Sequence, residues 1–329
     1  MTDWLRPVAI SGAERPAHLL AGQSHIGFDH VVDLRGGGPV VVDEARLARL
    51  ADQRAPLCGV SQDRPRIMGI LNVTPDSFSD GGQHDTLAAA VARAGVMAEA
   101  ADFLDIGGES TRPGAREVPI AEEIARTAPV IRAIREAGLR LPISIDTRKA
   151  AVAEAALDAG ADIVNDVSAM TFDPDMARLV AEREVPICLM HSRGDPETMQ
   201  NDPRYDDVLS DVLRSLSERV EAARAAGIKE ANIIVDPGIG FGKTVAHNLT
   251  LLRGLSALHD LGLPVLLGAS RKRFIGTIGG AEVAAERMPG SLAMALQGIA
   301  QGAQIIRVHD VAETAQAFRL WLAMATPEA

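Results

Sequence analysis

Residues 143–190 read ISIDTRKAAVAEAALDAGADIVNDVSAMTFDPDMARLVAEREVPICLM. Three short, largely apolar runs, at 143–145, 163–164 and 187–190, stop at Asp146, Asn165 and His191. A helix-like stretch follows each stop, and the first, over 150–159, ends at Gly160, a residue suited to terminate a helix. Strands that read as continuous apolar runs are buried on both faces, which is the situation of a parallel sheet covered by helices.

Five more runs of the same kind flank this stretch, at 67–71, 103–106, 233–235, 265–267 and 305–306. Their stops open with Asn72, Gly107, Asp236, Gly268 and Arg307. Eight strands alternating with helices predict a (β/α)8 TIM barrel, whose chemistry sits at the carboxyl ends of the strands. Apolar residues at helical spacing predict helices over 86–101 and 120–137, the second stopped by Gly138. Asp310 with Glu313 reads as a capping box opening a helix over 311–325. Residues 65–329 therefore form the barrel, and 1–64 an N-terminal extension. The extension carries a possible strand at 40–42 and a helix over 44–52, and reads as an appendage packed on the barrel or covering one end. Three connections, 74–85, 107–117 and 191–204, read as mobile loops.

The chain has 329 residues, 47% of them apolar, a net charge of −11 and a pI near 5.2. That balance excludes a general nucleic-acid or anionic-membrane binder, so anionic ligands must meet local clusters of Lys, Arg and backbone N–H groups. No apolar stretch is long enough to span a bilayer, and the first ten residues lack a signal peptide's apolar segment, so a cytoplasmic location is expected. Cys58 and Cys188 read as buried reduced thiols rather than a disulfide.

The polar stops carry the chemistry. Asp146, Asn165 and Asp236, desolvated at strand ends and with no arginine dedicated to each, favour a ligand rich in N–H donors. Bonding to loop backbone and metal binding are the competing readings. Lys272 and Arg307 stand where barrels often bind phosphate, and alternation points Arg307 and His309 to one side as an anion clamp. Arg271 reads as an outward ion pair and His191 as a supporting hydrogen bonder. The segment DPGIGFGKT at 236–244 is not a phosphate-binding P-loop, because Pro237 stands where that pattern requires glycine.

The segment GILNVTPDSFSDGG at 69–82 resembles the signature of the dihydropteroate synthase family, pterin-binding barrels of folate biosynthesis. DIGGESTRPG at 105–114, DPGIGFGKT, GASRK at 268–272 and IRVHD at 306–310 follow in the family's order. The resemblance spans about residues 66–325. It implies condensation of 6-hydroxymethyl-7,8-dihydropterin diphosphate with 4-aminobenzoate, giving 7,8-dihydropteroate and diphosphate. It implies a pterin held by Asp146, Asn165, Met190, Asp236, Phe241 and Lys272, and a diphosphate held by Asn72, Arg307 and His309. Asn72 would also ligate Mg2+, while Thr111, Arg112, Pro113 and Ser270 would serve the loop and the 4-aminobenzoate. Asp146, Lys272, Arg307 and His309 would be the catalytic set. A homodimer and competition by sulfonamides are further implications. The rivals are a pterin-dependent methyltransferase, which needs neither the GASRK nor the STRPG segment, and a non-catalytic pterin-binding paralogue, which would have lost Asn72, Arg112 or Arg307.

Overall fold

A computed structural model of the chain describes residues 4–12, 16–74, 83–110, 115–194 and 199–326. Eight parallel strands form one sheet: β5 (Arg66–Asn72), β6 (Phe103–Gly107), β7 (Ile143–Asp146), β8 (Ile163–Asp166), β9 (Ile187–Met190), β10 (Ile233–Asp236), β11 (Leu266–Leu267) and β12 (Ile305–Val308). They pair in the order β10-β9-β8-β7-β6-β5-β12-β11. A bridge from Val235 to Val265 brings the two ends of that order together and closes the barrel. Helices follow the strands, among them α2 (Gln83–Ala98), α3 (Ile120–Glu136), α4 (Ala150–Asp158), α5 (Met176–Arg183), α6 (Val208–Ala225), α7 (Val245–Arg253), α8 (Arg273–Gly279), α9 (Met288–Ile299) and α10 (Val311–Ala325). Gly138 and Gly160 follow α3 and α4 with positive φ, as helix stops require.

Inside the barrel a separate apolar cluster gathers Met68, Phe103, Ile163, Cys188, Ile234, Leu266 and Ile305, one residue from each of seven strands. Leu57 joins it from outside the repeat, where a tight turn bridges Leu57 to Val60. It plugs the amino end of the barrel. Cys188 is the buried free thiol expected, whereas Cys58 is exposed on the plug turn, because the adjacent Leu57 takes the inward position.

The extension is more ordered than its sequence suggests. Strands β1 (Leu5–Ser11), β2 (His18–Leu20), β3 (Gln23–Asp33) and β4 (Pro39–Val40) make an antiparallel sheet. The helix α1 (Glu44–Ala51) is capped by Asp43, whose carboxylate accepts the Arg46 N–H. Leu5, Leu20, Ile26, Phe28, Val31 and Leu50 form its core. Irregular register at Pro7/Ala9 and at Leu19/Leu20 breaks the two-residue alternation by which strands are recognised. Asp260 joins extension to barrel, accepting from Arg46 Nη2 at 2.7 Å and from the Leu5 N–H at 3.0 Å.

Leu57 is almost wholly buried. Leu57→Ala should lower unfolding free energy by about 3 kcal/mol in a urea titration, the cost of an unfilled core site. A loss within about 0.5 kcal/mol, the level of a surface change, would show that the turn does not plug the barrel.

Candidate active site

Side chains two apart on a strand share a face, so each interior apolar residue predicts what faces the interior at the carboxyl end. Two positions beyond Phe103, Ile163, Cys188, Ile234, Leu266 and Ile305 stand Asp105, Asn165, Met190, Asp236, Gly268 and Arg307. The polar tier is directly bonded. Arg307 donates from Nε to Asp105 Oδ2 at 2.5 Å and from Nη2 to Asp146 Oδ2 at 2.7 Å. Asn165 Nδ2 donates to Asp105 Oδ2 at 3.3 Å. Asn72 borders the group: a Cβ placed on Gly107 would lie 3.5 Å from Asp146 Cβ and 3.8 Å from Asn72 Oδ1. A Cβ on Gly268 would lie 3.7 Å from Asp236 Oδ2 and 3.9 Å from Arg307 Cδ. The expectation that Asp146 has no dedicated arginine is thus corrected, since residues distant in sequence meet across the barrel. The buried Oδ1 atoms of Asp105 and Asp146 have no hydrogen-bond partner among the described residues. Buried acceptors without donors are costly, and a ligand bearing N–H groups would satisfy them.

The segment 236–244 folds over one side of this tier. Asp236 Oδ1 accepts the Gly238 N–H at 2.7 Å. Gly238 has φ +67°, and a Cβ there would sit 1.9 Å from the His191 carbonyl oxygen, so only glycine fits. Met190 packs beneath it, its Cγ 3.3 Å from that same Cβ position. Lys243, buried, donates to the Phe241 carbonyl at 2.9 Å and meets His191 Nδ1 at 2.9 Å. His191 is therefore a supporting hydrogen bonder, as read from sequence. Lys272 Nζ stands 4.0 Å from the centroid of the half-buried Phe241 ring, a cation–π contact that places both at the rim. A cleft of about 260 Å³ opens beside Phe241, with Arg148, Phe172 and Met199 among its walls.

Ser270 and His309 form a pair, with Oγ and Nδ1 2.9 Å apart, and Ser270 Oγ accepts the His309 N–H at 3.2 Å. Arg271 turns away and holds both carboxylate oxygens of Asp310. Its ion pair matches expectation, but it removes the predicted cap, because the Asp310 carboxylate bonds Arg271 and not the first turn of α10. Thr111, Arg112 and Pro113 lie outside the described residues, as does much of the connection at 74–85.

Sequence reading missed three features. Asp105 sits inside an apolar run, and its signal was a charge one alternation step before the strand's end. Lys243 was weighed only as part of a failed phosphate motif. The third is a buried ion network beside the site, where Lys149 bonds Glu109, Glu123 and the Val118 carbonyl. Thr147 and Arg148 add bonds to Glu123 and Glu109. Both ends of the segment around the TRP triplet at 111–113 are thereby tied to the turn after Asp146.

Burial sets the electrostatics. It pushes the Asp146 carboxyl up to about 7, against the pull of Arg307 and with added repulsion from Asp105 and Glu123. It pushes Asp236 up to about 6, against the Gly238 N–H and the charges of Lys272, Arg307 and Lys243. The same desolvation lowers Lys243 to about 7 and His191 to about 3. Arg307 is raised above its usual value, because Asp105 and Asp146 outweigh its own burial.

An enclosed tier of acceptors, a flat aromatic wall and adjacent cations, at the carboxyl end of a barrel, define an enzyme site for a flat, amino-bearing heterocycle with an anionic tail. Residues 68–309 match the pterin binding enzyme family, and the chain belongs to it. Within that family it stands among the dihydropteroate synthases, transferases of folate biosynthesis. The dihydropteroate synthase of Synechocystis is 48% identical over 82% of this chain and 96% of its own length. That of Escherichia coli K12 is 47% identical over 80% and 93%. A solved Xanthomonas albilineans dihydropteroate synthase with 4-aminobenzoic acid superposes with a TM-score of 0.77 at 49% identity, covering 82% of this chain and 97% of that one. The same enzyme in complex with 7,8-dihydropteroate gives 0.74 at 47%, covering 82% and 98%. A Yersinia pestis dihydropteroate synthase with a sulfonamide drug gives 0.76 at 46%, covering 80% and 95%.

Binding of the ring should follow the ionisation of Asp236. Protonated below about 6, Asp236 is a poorer acceptor, so affinity for an amino-pyrimidinone compound should rise from pH 5 to 7.5. In calorimetric titrations Asp236→Asn should weaken binding and reduce that rise, leaving the part that follows Asp146 near 7. An unchanged pH profile in the variant would remove Asp236 from the binding site.

Proposed function

We propose that the acceptor tier of Asp105, Asp146, Asn165 and Asp236 holds the pterin edge of 6-hydroxymethyl-7,8-dihydropterin diphosphate, and that the enzyme couples it to 4-aminobenzoate. The observation that carries this reading is the pair of buried, unbonded Oδ1 atoms of Asp105 and Asp146, which an amino-pyrimidinone would satisfy. Phe241 and Met190 would flank the ring, and Lys272, held over Phe241, would donate to the ring's acceptor side. Arg307 is engaged by two carboxylates through Nε and Nη2, which leaves Nη1 for a diphosphate oxygen, and Asn72 and His309 would hold the same group. Ser270, fixed to His309, would face the 4-aminobenzoate together with Thr111, Arg112 and Pro113.

The reaction breaks the bond between the pterin methylene and the diphosphate oxygen, which departs with the electron pair. The neutral aniline nitrogen attacks the methylene carbon and releases a proton once the carbon–nitrogen bond has formed. The electron-rich dihydropterin spreads the cation that develops, and the Asp146 and Asp105 carboxylates stabilise it in a desolvated setting. No protein nucleophile is needed, since the amine is uncharged at neutral pH.

Mg2+ fits this site only as a companion of substrate. Among the described residues no group of three or more His, Cys, Asp and Glu side chains could hold a metal ion. Asn72 Oδ1 offers one oxygen at the strand end, which suits an ion that keeps water and diphosphate oxygens as its other ligands. Bound there, Mg2+ would neutralise charge on the departing diphosphate. Among the described residues no helix is long and apolar enough to cross a membrane. A cytoplasmic homodimer acting on small molecules, and competed by sulfonamides that mimic 4-aminobenzoate, completes the proposal.

The test is product formation from the purified protein, the dihydropterin diphosphate and 4-aminobenzoate, with and without Mg2+. Mg2+-dependent dihydropteroate is expected, and pterin binding without product would overturn the reading. Asp146→Asn and Lys272→Ala should each lower kcat by at least about 100-fold with unchanged circular dichroism. Near-normal turnover in both would overturn the assignment of the site.

A further inference from the structure

Lys243 is 3% exposed, and its Nζ meets three acceptors: the Phe241 carbonyl at 2.9 Å, His191 Nδ1 at 2.9 Å and the His191 carbonyl at 3.3 Å. A neutral amine has two N–H bonds and a lone pair, whereas an ammonium has three N–H bonds. Three acceptors around one nitrogen therefore call for the charged form. An ammonium cannot accept, so His191 Nδ1 is the acceptor and the imidazole proton sits on Nε2. Burial keeps that imidazole neutral, with a pKa pushed down to about 3.

None of the three acceptors is a carboxylate, so these bonds leave a buried positive charge uncompensated. The carboxylate that attracts it is Asp236. The His191 carbonyl that Lys243 bonds is the one packed against Gly238, whose N–H Asp236 holds at 2.7 Å. The His191 N–H in turn bonds the Asp236 carbonyl at 2.9 Å. Asp236 is also faced by Lys272 after β11, by Arg307 on β12 and by the Cys188 thiol on β9, which burial keeps protonated. Arg307 is committed to Asp105 and Asp146, and Lys272 stands over Phe241 at the rim. Of the three cations only Lys243 is buried. Burial lowers it to about 7, so it still carries its charge where Asp236 ionises, near 6.

We infer that Lys243 is a positioning residue of the pterin site, which holds the backbone of Phe241 and supplies, from behind the turn, the positive charge that keeps Asp236 an ionised acceptor. This role rests on the proposed role of Asp236. A merely structural brace needs donors but no charge, and the pH dependence of binding separates the two.

The probe is 6-hydroxymethylpterin, titrated calorimetrically from pH 5 to 7.5 into the parent, Lys243→Met, Asp236→Asn and the double variant. In the parent, Asp236 contributes a rise in affinity centred near 6. Lys243→Met removes the charge at similar volume and should move that midpoint up by about one pH unit. In the Asp236→Asn background the same substitution should leave the profile unmoved. That comparison also controls for His247 on α7, a titrating group that feels Lys243. Lys243→Gln keeps N–H donors and lacks the charge, so it carries the same expectation if the methionine variant does not fold. An unmoved midpoint in the folded variant, or an equal shift without the Asp236 carboxylate, would overturn the inference and leave the role of Asp236 intact. A parent profile that Asp236→Asn does not change would overturn that role and the inference with it.

Discussion

One guanidinium holds this active site together. Arg307 reaches from β12 to carboxylates on β6 and β7, and Asn165 on β8 bonds the same Asp105 oxygen. Two carboxylates this close cannot both ionise in a desolvated barrel unless a cation stands between them. Removing the arginine would strand both, at a cost of about 3–5 kcal/mol. Four strands thus share one electrostatic constraint, and it leaves one oxygen on each of Asp105 and Asp146 buried without a hydrogen-bond partner among the described residues.

The remaining machinery hangs on that tier. Asp236 is kept near it by the turn through Gly238, which only glycine can make against the His191 carbonyl. Lys243 and His191 brace this turn from behind, so Phe241 and Lys272 meet at the rim. On the other side Lys149 ties Glu109 and Val118 to the turn after Asp146. The positions of the acceptor tier and of Glu109 and Val118 are therefore coupled through buried charges rather than through apolar packing.

Much of this was legible in the sequence, because the barrel repeats one rule eight times. A strand apolar on both faces turns polar only near its carboxyl end, which identified Asn72, Asp146, Asn165, Asp236 and Arg307. Asp105 escaped because an interior carboxylate one step short of the strand's end looks like an interruption. Only the third dimension supplies Arg307 as its partner. The capping box at Asp310 failed for a related reason: a local motif lost its carboxylate to Arg271, a partner 39 positions away in sequence. The extension was the least legible part, since its sheet has irregular registers.

The central claim is that burial, Arg307 and the neighbouring Asp105 charge together set the ionisation of Asp146. Carbon-13 NMR of the aspartate side chains across pH, in the parent and in Asp105→Asn, tests it most directly. The parent Asp146 should titrate well above the ordinary carboxylate range, near 7, and its midpoint should fall once the Asp105 charge is gone. An ordinary midpoint near about 4 in both proteins would contradict the account.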